Sequence, residues 1–362
     1  MKILYIAPDI TDSGGISRVL SLKANYLAAQ LNYEVRILSV NDCKSNLFYD
    51  FNPNIQWFNI QQSKNIFLFL RNYVRFIKKT IADEKPDVIV ICDAVFWFFI
   101  PWLVKTEIPV IFETHFSIFF QKEAYENSLY RKLRYKLILF LRKKTMNKFS
   151  SSVFETQEGC QTWKVNNSQV IANPLSFIVK KKAALVNKCA IAVCMNPYVK
   201  GLDRLLLVWS KIIEKYPDWM LNVYGKWYDN AAFIKMAYDL KISNNLNFLP
   251  PTADIQTSYN QSSVFLMTSR TEAFGMVLIE AMASGVPCVA YDCPSGPRVI
   301  IEEGKNGFLI KDGDTDSFVQ KLELLIEDEN LRIRIGVNAQ ESVKKYNIDL
   351  IMKKWDKLFK DL

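Results

Sequence analysis

The chain alternates between short apolar runs and longer segments that mix apolar and polar residues. In the first half, the apolar runs lie at residues 2–7, 34–40, 87–92 and 108–114, and residues 17–31 have the mixed composition of a helix. Short apolar runs separated by helical segments are typical of parallel strands with helices on both faces of the sheet. The first half therefore predicts an α/β domain.

The second half repeats the same alternation. Its apolar runs lie at residues 189–195, 219–225, 246–250, 263–269, 287–292 and 307–310. Helices are predicted over about 203–215, near 230–241 and from Gly275, and the pattern from Asp316 to the end is helical. The second half therefore predicts another parallel sheet with its own helices.

The two halves are predicted to be separate domains. A chain of 362 residues exceeds the usual size of one hydrophobic core, and the basic segment "SFIVKKKAALVNK" separates the halves. We predict an N-terminal domain at residues 1–178, a C-terminal domain at 179–343, and a final helix within 344–362 that packs back toward the first domain. Two doubly wound domains of this kind face one another and bind ligands at the carboxyl ends of their strands.

A few residues decide which cellular compartment and which kind of metal site the sequence predicts. The start "MKILYIAPDI" meets Asp9 too early for a signal peptide. Asp93 and Pro101 interrupt the apolar segment 88–104, so we expect a buried strand followed by a buried helix there, not a membrane span. The seven cysteines include no CxxC pair, which indicates a reduced, cytoplasmic chain, and the single histidine excludes a histidine-rich metal site.

The first predicted loop between a strand and a helix carries Gly14 and Gly15. The loop does not contain GxGxxG, and no acidic residue closes the second strand at Val40, which argues against a dinucleotide dehydrogenase. A glycine pair at this place would still let the backbone approach a phosphate. A plain loop is the alternative.

Two glutamates bracket a predicted helix start in the second half. Glu272 precedes the helix that begins near Gly275, and Glu280 lies on its second turn. Free N–H groups at a helix start attract phosphate, and carboxylates on either side can accept hydrogen bonds from hydroxyls. A nucleotide-sugar has this layout of ribose, diphosphate and hexose. The alternative is a solvated helix start with Glu280 as a surface charge.

The stretch "EAFGMVLIEAMASGVPCVAYDCPSGP" resembles the donor-site signature of glycosyltransferase family 4, whose members are retaining enzymes of the GT-B fold. The similarity extends over nearly the whole chain, because "ETHFS", "VIANPL", "VKGLDRLL" and "LNVYG" follow in the family's order. The resemblance implies two Rossmann-like parallel-sheet domains facing a central cleft. It points to the bacterial enzymes that make polysaccharides and lipid-linked glycans.

The resemblance also implies roles for individual residues. Glu280 corresponds to the glutamate that holds the ribose hydroxyls, and Glu272 to the one that meets the hydroxyls of the transferred sugar. Lys200 corresponds to the lysine that neutralises the diphosphate. The backbone that cradles the distal phosphate and the sugar corresponds to Phe274, Gly275, Met276 and Val277.

Two further roles fall in the first half. Gly15, with Gly14, corresponds to the first-domain backbone that faces the diphosphate, and His115 to the residue near the anomeric region of the sugar. Without the resemblance, the residue pattern alone would favour an ordinary hydrogen-bonded histidine at a strand end.

The sequence departs from the family where a glycine-arginine pair usually binds the diphosphate together with the lysine. Cys194 and Met195 stand at those positions. Either Arg204 or Lys226 replaces the missing cation, or the donor site has decayed and the protein only binds its ligand.

We expect the reaction to need neither metal nor cofactor. No DxD-type motif stands at a strand end, and Asp312-Gly313-Asp314 is interpreted as a turn. In the family, attack on the same face of the sugar is proposed, with the leaving phosphate taking the proton of the acceptor.

The distribution of basic residues suggests that the acceptor is at a membrane. Residues 1–180 hold 23 Lys and Arg against 15 Asp and Glu, and residues 129–148 contain eight basic residues and no acidic one. Basic segments with apolar side chains bind anionic membrane surfaces, although an ordinary helix with a solvated basic face would have the same composition. No nucleic-acid recognition motif accompanies the charge.

Together these features predict a cytoplasmic, peripheral membrane glycosyltransferase. It would move a hexose or N-acetylhexosamine from a nucleotide-sugar, with UDP as the expected carrier, to a lipid-linked or growing saccharide of a surface polysaccharide or lipopolysaccharide. The alternatives are a sugar-nucleotide-binding protein without transferase activity, and a GT-B sugar-nucleotide epimerase or hydrolase.

Overall fold

The computed structural model describes residues 1–40, 47–93, 99–115, 129–179, 181–226 and 231–362. The chain forms two compact units: unit 1 comprises Met1–Pro174 and Ile348–Leu362, and unit 2 comprises Leu175–Asn347. The last helix of the chain is thus part of the first unit.

Unit 1 contains a parallel sheet with the strand order β3-β2-β1-β4-β5-β6-β7. Its strands are β1 (Lys2–Ile6), β2 (Glu34–Val40), β3 (Gln56–Ile60), β4 (Val88–Cys92), β5 (Val110–Glu113), β6 (Ser151–Phe154) and β7 (Ser168–Val170). The predicted strands β1, β2, β4 and β5 are confirmed. The sequence pattern did not predict β3, β6 and β7, because each is short or contains several polar residues.

Unit 2 contains a parallel sheet with the order β10-β9-β8-β11-β12-β13. Its strands are β8 (Cys189–Val193), β9 (Met220–Tyr224), β10 (Leu246–Leu249), β11 (Val264–Met267), β12 (Cys288–Asp292) and β13 (Phe308–Lys311). Five lie within the apolar runs of the sequence and β13 extends one residue beyond its run, so the predicted second parallel sheet is confirmed.

Helices connect the strands of both sheets. The α-helices of the described residues are α1 (Gly15–Ala29), α2 (Ile66–Glu84), α3 (Ile100–Leu103), α4 (Leu129–Met146), α5 (Gln157–Trp163), α6 (Leu202–Lys215), α7 (Ala231–Asp239), α8 (Ile255–Asn260), α9 (Met276–Ala283), α10 (Pro297–Ile300), α11 (Thr315–Glu327), α12 (Glu329–Ser342) and α13 (Ile348–Lys360). Short 3₁₀ turns occur at Ser243–Asn245 and Lys344–Tyr346.

The sheet of unit 1 is covered on both faces. Helices α1 and α13 bury side chains such as Leu27 and Trp355 in one apolar cluster, and α2 and α4 bury side chains such as Tyr73 and Met146 in another. Each large apolar side chain removed from water contributes about 1.5–3 kcal/mol. The buried ammonium of Lys23 on α1 lies 3.7 Å from the ring centroid of Trp355, which fixes α13 to this unit.

The core of unit 2 is built in the same way. Helix α6 buries Leu205, Leu206, Trp209 and Ile212 against the sheet at the spacing of one helix face. The indole Nε1–H of Trp209 donates to the backbone oxygen of Asn245 at 2.9 Å, so its polar group is satisfied.

The apolar segment 88–104 begins with the buried strand β4, as expected, but the helix after it is only the four-residue α3. Ile100 is buried, whereas Trp102 and Leu103 are exposed. A buried helix was therefore the wrong prediction for these two residues, and residues 94–98 lie outside the described part. In the described part of the chain, no helix has the length and apolar character required to span a membrane.

The parallel arrangement collects polar side chains at the carboxyl edge of each sheet. In unit 1, Asp93 follows β4, His115 follows β5 and Glu155 follows β6. In unit 2, Lys200 follows β8 and Glu272 follows β11. In each unit, these candidate site residues therefore come from loops at the carboxyl edge of that unit's own sheet.

Candidate functional site

The loop that carries Glu272 is held between two parts of unit 2. The N–H of Glu272 donates to the backbone oxygen of Pro294 at 2.8 Å, and the N–H of Ser295 donates back to the oxygen of Glu272 at 2.7 Å. A Cβ at Gly296 would lie 1.9 Å from the backbone oxygen of Phe274, so only glycine permits this close approach. The conformation of the loop is thus fixed by backbone contacts on both sides of Phe274.

Helix α9 begins directly after this loop. It starts at Met276, and its N-cap residue Gly275 has a φ of 104°, a left-handed conformation that favours glycine. The predicted helix start near Gly275 is confirmed. The first N–H groups of a helix, here at Met276 and Val277, have no acceptor within the helix and suit an anion.

Lys200 and Glu272 form an ion pair beside this helix start. The Nζ of Lys200 lies 2.6 Å from Oε1 of Glu272, and the hydroxyl of Ser269 donates to the same oxygen at 2.6 Å. A Cβ at Gly201 would lie 2.0 Å from the backbone oxygen of Thr268, which brings the lysine loop close to the glutamate loop. Burial alone would lower the pKa of Lys200, but Glu272 outweighs burial and raises it, so Lys200 is a cation.

Glu280 is buried on α9 and is not the surface charge that the sequence allowed as an alternative. Its side chain accepts hydrogen bonds from the hydroxyl of Ser176 at 2.6 Å and from that of Tyr259 at 3.2 Å. Two protein hydroxyls therefore donate hydrogen bonds to this carboxylate, in the way that the hydroxyls of a ribose would. Sequence reasoning missed Ser176 and Tyr259, because they lie 104 and 21 residues from Glu280 and belong to no motif.

The two proposed substitutes for the missing family arginine lie in different surroundings. Arg204 forms a 2.6 Å ion pair with Asp312, and Lys226 is exposed after β9. Met195 is half-buried between β8 and the Lys200 loop. Among the described residues, Lys200 is the cation that forms an ion pair with Glu272.

The glycine pair lies at the start of α1 in unit 1. Gly14 is the N-cap residue, and its N–H donates to Oδ1 of Asp12 at 3.0 Å. A Cβ on Gly14 would crowd that carboxylate, whereas a Cβ on Gly15 would meet no atom of the described residues within 4 Å. The space beside Gly15 is therefore open to a ligand.

His115 lies between two glutamates of unit 1. Its Nδ1 is 3.0 Å from Oε1 of Glu155, and its Nε2 is 3.6 Å from Oε1 of Glu113. Only 6% of the side chain is exposed. Sequence reasoning placed His115 at a strand end but did not identify either glutamate as its partner, although both stand at strand ends themselves.

One group of described side chains has atoms of the type that bind metals: Cys92, Glu113 and His115. The ammonium of Lys23 lies 2.5 Å from Oε2 of Glu113 and already neutralises this carboxylate. A metal cation at the same place would be repelled by Lys23. We therefore assign no metal to this group.

Comparisons with known proteins agree with the geometry of both sheets. A family model described as "Glycosyl transferases group 1" matches residues 180–342. An uncharacterized glycosyltransferase of Haemophilus influenzae is 31% identical over 359 residues, which make up 98% of each chain. The amylovoran biosynthesis glycosyltransferase AmsD of Erwinia amylovora is 26% identical over 372 residues, again covering 98% of each chain.

A similar solved structure is that of a TarM mutant of S. aureus in complex with fondaparinux, alpha-GlcNAc-glycerol and UDP. It matches with a TM-score of 0.79 at 16% identity and covers 99% of each chain. This likeness confirms the predicted α/β GT-B fold class with two Rossmann-like domains. Because the Haemophilus relative spans 98% of the chain at 31% identity, the protein belongs to the glycosyltransferases, and its residues 180–342 match the group 1 model.

Proposed function

We propose that the protein is a retaining, metal-independent glycosyltransferase of family 4 that transfers a hexose or N-acetylhexosamine from a UDP-sugar. The observation that carries this proposal is the Lys200–Glu272 ion pair beside the start of α9, with the buried carboxylate of Glu280 on the same helix. One cation, a set of free N–H groups and two carboxylates match a diphosphate with hydroxyls on both sides. The TarM complex, which shares the fold, contains UDP.

Each residue of this site has a separate task. Lys200 and the N–H groups at Met276 and Val277 bind the diphosphate, Glu280 accepts the ribose hydroxyls, and Glu272 accepts hydroxyls of the transferred sugar. When the bond between the sugar and the phosphate breaks, negative charge develops on the diphosphate. Lys200 and the helix start are fixed in place before the reaction and therefore stabilise this charge.

The acceptor hydroxyl attacks the anomeric carbon from the face that the diphosphate leaves, and its proton passes to the leaving phosphate oxygen. Retention by double displacement would instead require a carboxylate nucleophile beneath the anomeric carbon. In our proposal Glu272 binds hydroxyls of the sugar and forms no covalent bond to it.

The acceptor that we propose is a lipid-linked or growing saccharide in the synthesis of a surface polysaccharide or lipopolysaccharide. AmsD is named for the biosynthesis of amylovoran. Helix α4 of unit 1 exposes apolar and basic side chains together, which fits peripheral binding to an anionic membrane.

A thermal-shift screen of nucleotide-sugars tests the donor, because a ligand that binds only the folded state raises the melting temperature. The best ligand is then incubated with lipid-linked and oligosaccharide acceptors, with and without EDTA, and the anomeric configuration of the product is determined by NMR. Retention and full activity in EDTA are expected. Binding without turnover would indicate a non-enzymatic sugar-nucleotide-binding protein, and turnover without an acceptor an epimerase or hydrolase.

A further inference from the structure

The sole histidine of the chain lies in a buried set of charged groups that the proposed mechanism does not explain. The ring of His115 faces Glu155 with Nδ1 and Glu113 with Nε2, and all three side chains are almost completely buried. A neutral imidazole carries one N–H and one bare nitrogen. In that form, one of its nitrogens would direct a lone pair at a carboxylate.

Neither glutamate is free to turn away from the ring. The side-chain amide of Asn173 donates to Oε1 of Glu155 at 2.5 Å. On the other side, the ammonium of Lys23 lies 2.5 Å from Oε2 of Glu113. Both carboxylates are thus held in place by donors from other parts of unit 1.

The balance of charge in this set also depends on the ring. Lys23 provides one positive charge, and Glu113 and Glu155 provide two negative charges. A protonated His115 makes the four groups neutral, which lowers the cost of burying them. Among the described residues, the other titratable groups that face the ring are Cys92 and Asp93, and Oδ2 of Asp93 accepts the backbone N–H of His115 at 2.5 Å.

The pKa values agree in direction with this geometry. Burial lowers the pKa of His115, but Glu113, Cys92 and Glu155 together outweigh burial and raise the pKa well above its ordinary value. Burial would raise the pKa of Glu113, but Lys23 and His115 hold it far below its usual range.

We propose that Glu155 is a positioning residue which, together with Glu113, holds the ring of His115 as an imidazolium with both N–H groups directed at carboxylates. His115 then acts as a fixed positive charge at the carboxyl edge of β5 and not as a base that removes the proton of the acceptor. This inference rests on the proposed function for its catalytic meaning, because it leaves the proton to the departing phosphate. The state of the ring itself can be tested without any substrate.

The experiment is long-range ¹H–¹⁵N NMR of the untagged full-length protein, labelled with ¹⁵N-histidine. Since the chain contains one histidine, its two ring nitrogens need no further assignment. At pH 7.5 both nitrogens are expected to show the similar shifts of an imidazolium. The separate shifts of a neutral tautomer at this pH, or a titration midpoint at or below the ordinary value of about 6.5, would overturn the proposal.

The variant Glu155→Gln keeps the shape of the side chain and removes its charge. We expect the midpoint of His115 to fall by about one unit or more, a tenfold change in the proton equilibrium. Glu107→Gln, at an exposed glutamate of the same unit, is the matched control and should leave the midpoint unchanged. An unchanged midpoint in a folded Glu155→Gln protein would show that Glu155 does not hold the ring, and the spectrum of the wild type decides the state of the ring even if this variant does not fold.

The pH dependence of the transfer rate distinguishes a positioning role of Glu155 from a merely structural one. In Glu155→Gln, the transfer rate should gain a new loss with rising pH at the midpoint that NMR reports, whereas a merely structural role would lower the rate equally at every pH. If no acceptor supports transfer but the imidazolium persists in the spectrum, the proposed function fails and the assignment of the ring stands.

Discussion

The Nζ of Lys200 lies 2.6 Å from Oε1 of Glu272, so the cation and one carboxylate of the unit 2 site bind each other. A diphosphate that binds Lys200 must compete with Glu272. A sugar hydroxyl that binds Glu272 replaces the hydrogen bond that Lys200 donates. When the ligand binds, each side chain therefore replaces its bond to the other with a bond to a different part of the ligand. Substitution of Lys200 and substitution of Glu272 should consequently have different effects.

Lys200→Met should weaken binding of UDP by about 1.5–3 kcal/mol, because it removes a hydrogen bond to a charged group and leaves Glu272 unpaired beside the diphosphate. Glu272→Gln should leave UDP affinity equal or tighter, since it removes a competing anion, and should slow sugar transfer by about tenfold or more, at least 1.4 kcal/mol. Calorimetry with UDP and a turnover assay measure the two effects. Equal weakening of UDP binding by both variants would contradict the division of roles.

Glu280→Gln tests the ribose assignment through a paired change in the ligand. Wild-type protein should bind UDP more tightly than 2′-deoxy-UDP, because the carboxylate accepts a hydrogen bond from the 2′-hydroxyl. In Glu280→Gln, UDP affinity should fall by about 1.5–3 kcal/mol and most of the discrimination should disappear. Tyr259→Phe is the control, because it removes a hydroxyl partner of Glu280 and keeps the carboxylate. If the variant discriminates between the two nucleotides as well as the wild type, Glu280 does not contact the ribose.

Many of the strands that the sequence predicted share one physical property. Strands such as β4 and β12 lie in the middle of a sheet, where both faces are buried, and therefore appear as continuous apolar runs. The edge strands β3 and β7 lack this burial, so their mixed sequences gave no signal. Position in the sheet is not the only factor, because the apolar edge strands β10 and β13 were found, whereas the buried interior strand β6 begins with two serines and was not.

The same reasoning applies to the site. Glu272 and Glu280 were found because they lie eight positions apart around a helix start, which is a local pattern. Ser176 and Lys23 were not found, because their partners Glu280 and Glu113 are 104 and 90 residues away and are brought close only by the completed sheets. Local sequence can name a candidate side chain, but its hydrogen-bond partners depend on tertiary structure.

Gly15→Ala tests whether a ligand approaches the start of α1. In the described part of the chain, a Cβ at this position meets no atom within 4 Å, and alanine is a better helix former than glycine, so the melting temperature should be unchanged or slightly higher. If the diphosphate of the donor lies against this backbone, the added methyl group should raise the KM for the nucleotide-sugar by about tenfold, or 1.4 kcal/mol. Unchanged kinetics in a stable Gly15→Ala protein would remove Gly15 from the donor site.

Asp93 predicts a pH dependence of stability. Burial raises its pKa to about 7, with smaller contributions from Glu155 and Glu113 and an opposing one from His115. Because the folded state keeps a proton that the unfolded state releases near pH 4, ionisation of Asp93 lowers stability as the pH rises from about 4 to 7.

Asp93→Asn mimics the protonated form and can keep both the hydrogen bond from His115 and the φ of 40°, which asparagine tolerates. The variant should therefore melt at a higher temperature than the wild type at pH 8.5, by several degrees, and by much less at pH 4, where the unfolded state also binds this proton about half of the time. Melting curves at the two pH values measure the difference. An equal shift at both would mean that ionisation of Asp93 does not affect stability.

Helix α4 has two properties that act together at a membrane. Tyr130, Leu133, Leu137 and Phe140 recur at intervals of three and four residues, and each is more than half exposed. The cations of this helix include Arg134, Arg142 and Lys144, which are exposed, whereas Lys143 donates to the backbone oxygen of Thr162. Lys143 is thus excluded from the test, because its substitution would also disturb the contact with α5.

Arg134, Arg142 and Lys144 replaced together by glutamate should weaken binding to anionic vesicles by more than about 3 kcal/mol, at about 1 kcal/mol for each cation near the surface, while UDP affinity is unchanged. Salt should release the wild-type protein from the same vesicles, because it screens surface charge. Sedimentation with vesicles of phosphatidylglycerol and phosphatidylcholine measures the effect, and vesicles of phosphatidylcholine alone provide the baseline. Reversal of three exposed lysines of unit 2, Lys235, Lys305 and Lys344, controls for net charge. If this control loses as much binding as the α4 variant, or if the wild type binds both kinds of vesicle equally, α4 is not the membrane-binding surface.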